Sequence, residues 1–95
     1  MVESPQVVHD PAARQFEVRD DAGVAVLTYV QRGDVLDLMH TRVPPELEGQ
    51  GYGAALAKAA LDYARTNGLK VIPTCPFVRA YLRRHKEYAD LVKGG

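Results

Sequence analysis

The stretch Glu48-Gly49-Gln50-Gly51-Tyr52-Gly53-Ala54-Ala55-Leu56 limits the possible folds of this chain sharply. Glycine stands at alternate positions from Gly49 to Gly53, and an alanine-rich amphipathic run follows at once. Ahead of it, Val35 to Val43 reads as a strand. Pro44-Pro45 closes that strand, because proline cannot continue a ladder. Strand, glycine loop and helix in that order bring uncapped backbone N–H groups to one point, which suits a phosphate-bearing ligand. Glycine adds tight turning and close approach. The stretch lacks the Lys-Ser or Lys-Thr of a nucleoside-triphosphate loop. Asp62, Glu87 and Asp90 also fall out of register for the acidic residue of a dinucleotide site. Spacing alone therefore leaves two readings open, a phosphate cradle and a plain loop capping a helix.

The chain has 95 residues, the size of one domain. Twelve basic and twelve acidic residues cancel, which argues against a large nucleic-acid footprint. A single cysteine excludes an internal disulfide and suits a reducing compartment. The start, Met1-Val2-Glu3-Ser4-Pro5, has neither the charge nor the apolar run of a secretory signal. No segment has the apolar length of a membrane span. The expectation is a cytoplasmic single domain over 1–95, with loose ends at 1–5 and 94–95.

Gln6 to Asp10 reads as a short first strand. Arg14 to Arg19 alternates, with Phe16 and Val18 on one side and Gln15, Glu17 and Arg19 on the wet side. Asp20-Asp21-Ala22-Gly23 turns the chain into Val24 to Gln31, and Arg32-Gly33-Asp34 turns it again. In the fourth strand, strict alternation puts Leu36, Leu38, His40 and Arg42 on one face. Tyr52 to Asn67 forms a helix with Leu56, Ala60, Tyr63 and Ala64 buried and Lys58, Asp62 and Arg65 wet. Leu69 to Thr74 is a fifth strand. Pro76 to His85 is a second helix with Phe77, Tyr81 and Leu82 inward, and Glu87 to Lys93 adds a turn. The expected fold is α+β: an antiparallel four-strand meander, a helix, a parallel fifth strand and a C-terminal helix. A right-handed crossover makes the fifth strand parallel to the fourth. Its outer edge is expected to be free, open to a second copy or a substrate peptide.

The glycine loop resembles the pyrophosphate loop of the GNAT superfamily of acetyl-coenzyme A-dependent N-acetyltransferases. Gly51 and Gly53 match its glycines, and Glu48 replaces its usual Arg or Gln. The wider pattern is similar to the small, single-domain, YjdJ-like branch of that superfamily, from about Val7 to Val92. It includes His40-Thr41-Arg42-Val43-Pro44 before the loop and Ile72-Pro73-Thr74-Cys75-Pro76-Phe77-Val78 after the helix. Tyr81, His85 and Tyr88 complete it.

The resemblance implies acetyl-coenzyme A as cofactor and an unidentified amine as acceptor, either a small molecule or a protein lysine. The cofactor's pyrophosphate would lie on Gln50, Gly51, Tyr52, Gly53 and Ala54. Its pantetheine arm would run between the fourth and fifth strands past Met39, Thr41, Val43, Cys75 and Phe77. Arg79 is a candidate for the adenosine phosphate. A backbone N–H between Met39 and Thr41 would hold the thioester oxygen as charge builds.

Three side chains are candidates for the chemistry. Cys75, just before Pro76, is placed as the N-cap of the second helix, where the dipole lowers a thiol pKa. It either carries an acetyl group transiently, lines the pantetheine tunnel, or is simply a small buried hydrophobe. His40 is a general-base candidate, against a core histidine satisfied by a carbonyl. Tyr81 resembles the tyrosine that protonates the departing thiolate in many GNAT enzymes, against a core aromatic. Arg42 stands where relatives usually carry Glu, which argues against a carboxylate base there. The three histidines are scattered, so no metal is expected. A non-catalytic acyl-coenzyme A-binding or interaction module is the competing reading, since the extra helices and strands that build the acceptor pocket of larger relatives are missing. A monomer or weak dimer is expected.

Overall fold

The computed structural model describes residues 6–94. The expected loose start at residues 1–5 and Gly95 at the expected frayed end lie outside the described residues. Five strands run β1 (Val8–Asp10), β2 (Gln15–Asp20), β3 (Gly23–Arg32), β4 (Val35–Arg42) and β5 (Lys70–Pro73). Helix α1 (Tyr52–Thr66) joins β4 to β5, and α2 (Pro76–Arg84) follows β5. Short 3₁₀ turns cover Pro45–Leu47 and Lys86–Leu91.

The strands lie in sequence order in one sheet, antiparallel from β1 to β4 and parallel between β4 and β5. Turns too short for a crossover force the antiparallel pairs, and α1 supplies the crossover that a parallel pair needs. Both helices pack on one face of the sheet. There Phe16, Val18, Leu27, Leu36, Leu38 and Val71 meet Leu56, Ala57, Ala60, Leu61, Ala64 and Val78 in one core. The alanines on α1 let the helix sit close to the strands.

A β-bulge in β4 changes which side chains face the helices. Tyr29 pairs with Leu38, but its neighbour Thr28 pairs with His40, so Met39 is the extra residue. An extra residue shifts the alternation by one. Thr41, opposite the buried Leu27, now faces the helices, while His40 and Arg42 pair with Thr28 and Val26 on the open face. The expected run Leu36, Leu38, His40, Arg42 on one face is therefore broken after Leu38, and His40 is exposed.

Three further expectations are corrected. Glu17 belongs to the open face yet is buried, because Gln15 and Arg19 fold over it and each donate to its carboxylate at 2.8 Å. Phe77 is 44% exposed, and Val78 is the buried residue of α2. The outer edge of β5 is not free. Val71 makes a parallel bridge with Val92, the N–H of Lys93 donates to the Val71 carbonyl at 2.9 Å, and Lys70 Nζ donates to the Asp90 carbonyl. A strap from the C-terminal segment thus occupies the edge proposed for dimer or peptide pairing.

Candidate functional site

The loop before α1 is built from glycines with left-handed backbone, Gly49 at φ 78° and Gly51 at φ 81°. Side chains rarely adopt that conformation, whereas glycine does so freely. Gly51 is the N-cap of α1, so no side chain caps the helix, and its first turn carries no acid. The opening amides therefore keep their hydrogen-bonding capacity and the positive end of the helix dipole.

These amides border a groove of about 590 Å³. Thr41, Arg42 and Val43 at the end of β4 form one wall. Leu47, Glu48, Gly49, Gly51, Tyr52, Gly53 and Ala54 form the other, and Phe77 closes one side. The groove exists because β4 runs on past its partner. The last tie between the two strands is Cys75 N–H to the Leu38 carbonyl at 2.9 Å, after which Pro76 turns the chain into α2.

Seven of the residues singled out from sequence line this groove together: Thr41, Val43, Gly51, Tyr52, Gly53, Ala54 and Phe77. Met39, Gln50, Cys75 and Arg79 are not among its lining residues. Met39 is the bulged residue. Gln50 is exposed on the loop and donates through Nε2 to the Glu46 carbonyl at 3.2 Å. Arg79 is exposed on α2. Arg42, Leu47, Glu48 and Gly49 are lining residues that the sequence did not single out as contacts. The loop spacing could have suggested Glu48 and Gly49.

Cys75 sits behind the groove wall as the N-cap of α2, buried, with Sγ 3.2 Å from Thr41 Oγ1. Burial pushes its thiol pKa up, but hydrogen bonds from the Thr41 hydroxyl and the Val78, Phe77 and Thr41 backbone outweigh that and hold it below the usual thiol value. The bulge makes this pairing possible, since without it Thr41 would face away from the helices.

A second hollow, about 460 Å³, runs over the outer side of α1 past Ala54, Ala55, Lys58, Ala59 and Asp62. It meets the first at Gly51 and Ala54, and Tyr81 and His85 wall it. Tyr81 stacks on His85 with ring centroids 4.0 Å apart, and burial raises its pKa. Tyr81 also lines a smaller hollow together with Ala54 and Phe77, which both line the groove. The small residues Ala54, Ala55 and Ala59 on the outer side of α1 are the sequence signal that could have suggested the second hollow. Among the described residues, no group of His, Cys, Asp or Glu could hold a metal ion. Among the described residues, no helix is long and apolar enough to cross a membrane.

Residues 15–91 match the family described as GCN5-related N-acetyl-transferase. The chain belongs to this family. Among similar proteins, Protein NATD1 of Gallus gallus is 39% identical over 84 residues, spanning 84% of this chain and 76% of that protein. Protein NATD1 of Homo sapiens is 38% identical, covering 84% of this chain and 74% of its own length. The NMR solution structure of a GCN5-like protein from Staphylococcus aureus superposes with a TM-score of 0.73 at 30% identity, over 99% of this chain and 93% of that one. In this GCN5-related chain, the glycine loop and the parted ends of β4 and β5 lie on the matched segment.

Proposed function

We propose that this family member binds acetyl-coenzyme A in the groove at the head of α1 and transfers the acetyl group to an amine. The observation that carries the reading is the uncapped N-terminus of a 15-residue helix opening into a groove whose far wall holds Thr41, hydrogen-bonded to Cys75. The loop suits a diphosphate: a Cβ built on Gly49 or Gly51 would meet nothing within 4 Å, so there is room in front of the backbone. First-turn amides and the helix dipole favour the anion. Gly51, Tyr52, Gly53 and Ala54 would hold the diphosphate, with Gln50 at the loop's exposed side. The second hollow, continuous through Ala54, offers Lys58 to the nucleotide end.

When bound, acetyl-coenzyme A supplies the activated acetyl group. The bulged backbone around Met39 is the candidate donor to the carbonyl oxygen. Thr41 on the groove wall, hydrogen-bonded to the buried Cys75 thiol behind it, would pass a proton to the departing sulfur. His40, turned to the open face by the bulge, would take a proton from an amine arriving there. Tyr81, which shares a hollow with the groove residues Ala54 and Phe77, is the second candidate proton source.

Calorimetric titration with acetyl-coenzyme A, with NMR shift mapping, tests the reading. Saturable binding that shifts Thr41 and Gly51 to Ala54 supports it, and screening of amines for acetylation follows. Absence of binding at millimolar ligand overturns it.

A further inference from the structure

Among the described residues, Glu17 and Asp37 are the buried charged side chains. Glu17 is fully engaged by Gln15 and Arg19. Asp37 is not. It lies on β4 opposite Ile72 of β5, on the face away from α1, because its neighbours Leu36 and Leu38 point into the core. Asp37 Oδ1 accepts from Thr74 Oγ1 at 2.5 Å. Among the described residues, Oδ2 has only Arg32 Nη1 at 3.7 Å, beyond hydrogen-bond distance, on a side chain two-thirds exposed (66%). A carboxylate offers about four lone-pair sites, so Oδ2 keeps room for a closer cation.

The position of this pair is specific. Thr74 precedes Cys75, whose N–H makes the last tie between β5 and β4. The Cys75 thiol and Thr41 lie on the helix side of that seam, and the Asp37–Thr74 pair lies on the open side. His40 shares the open face beyond the bulge. A neutral residue could latch the strands equally well, since the Thr74 bond needs an acceptor and not a charge. Arg32 pairs with Oδ2 only loosely and Oδ2 is not sealed off, so a cation that comes closer can displace it.

We propose that Asp37 is the specificity-determining group for the acceptor, binding an alkylammonium at the open mouth of the seam, and that Arg32 is its intramolecular competitor for Oδ2. The use of this site in acetyl transfer rests on the function proposed above, whereas the binding itself does not.

The test titrates isotope-labelled full chain with n-butylammonium chloride, with n-butanol as the neutral match and sodium chloride at equal ionic strength. Expected are saturable amide shifts at Asp37, Ile72 and Thr74 with the ammonium alone. Asp37→Asn keeps an acceptor for Thr74 and should weaken binding about tenfold or more. Arg32→Gln, a surface change, should strengthen it about threefold by removing the competitor. With a reactive amine, Asp37→Asn should raise KM while kcat stays near the parent value. Unchanged affinity in Asp37→Asn, equal response to butanol, or weaker binding in Arg32→Gln overturns the proposal. Acetyl-coenzyme A titration of the same proteins separates the two readings. Ammonium binding at Asp37 without cofactor binding sinks the proposed function and leaves this inference standing; the reverse pattern sinks this inference alone.

Discussion

Phe77 lies directly over Gly53: a Cβ built on that glycine would come within 2.7 Å of the ring's Cζ. The ring thus rests on bare backbone in the first turn of α1, at the border of the groove. The packing of Phe77 gives Gly53 a reason to be bare besides the close approach of a ligand. Gly53→Ala should push the ring outward, which its exposed outer side permits. Helix propensity favours Ala by roughly 1 kcal/mol, offsetting the crowding. We expect a Tm within a few degrees of the parent and large shifts of the Phe77 ring resonances. If those resonances stay fixed, the packing of Phe77 on Gly53 is wrong. Gly53→Asp adds a negative charge to the same displacement, so comparing the two variants separates charge from shape in acetyl-coenzyme A affinity.

Glu48 lines the groove beside the loop proposed to hold the diphosphate. A like charge there opposes the helix dipole. Glu48→Gln should tighten acetyl-coenzyme A binding by about fivefold, corresponding to roughly 1 kcal/mol of relieved repulsion at a solvated site. The gain should shrink in high salt. Calorimetry at two ionic strengths checks both statements, and equal affinity of parent and variant at low salt would remove Glu48 from the diphosphate's surroundings.

The Thr41 hydroxyl is among the groups that hold the Cys75 thiol pKa down. Thr41→Val keeps the volume and removes that bond. The thiol pKa should rise, and thiolate absorbance should appear at higher pH than in the parent. An unchanged titration curve would mean that the 3.2 Å contact does not operate in solution.

How much of this was legible beforehand follows from the range of each cause. Strand and helix positions came from local periodicity and turn residues, and the crossover from chirality. The β4 bulge did not, because nothing in Leu38-Met39-His40 distinguishes a bulge from regular alternation. That single missed residue moved His40 to the open face and Thr41 toward Cys75. The strap over β5 was hidden because it depends on contacts across the chain, Val71 with Val92 and Arg65 with Asp90. Glu17 looked wet because its cover comes from its own neighbours on the same face. At the site, the glycine loop was readable since its chemistry is local. Asp37 and Thr74 are 37 positions apart and became neighbours only through the parallel pairing.

His9 sits among aromatic rings, stacked on Phe16 at 4.3 Å and edge-on to Tyr63 at 4.5 Å, with Nε2 2.6 Å from the Tyr29 hydroxyl. Burial lowers its pKa below 6.5, opposed in part by Asp10. A histidine depressed in the folded state stabilises the fold fully above its unfolded value, and that contribution is lost as pH falls through the folded value. Stability should therefore decline on acidification below about pH 6.5, before most carboxylates titrate. His9→Phe should flatten that limb in urea titrations between pH 7 and 5. A limb of unchanged slope would assign the effect to other groups.

The strap at Val92 and Lys93 bears on the order in which a growing chain can settle. Synthesis proceeds at about 5–20 residues per second, and β1 to β4 can pair with their immediate predecessors as they emerge. Strand β5 has one neighbour at once but must wait about twenty more residues for its cover on the other side. During that interval its outer edge is available to other nascent or unfolded chains. Aggregation during expression should accordingly depend on how quickly the final segment is delivered, even among variants whose finished folds are equally stable.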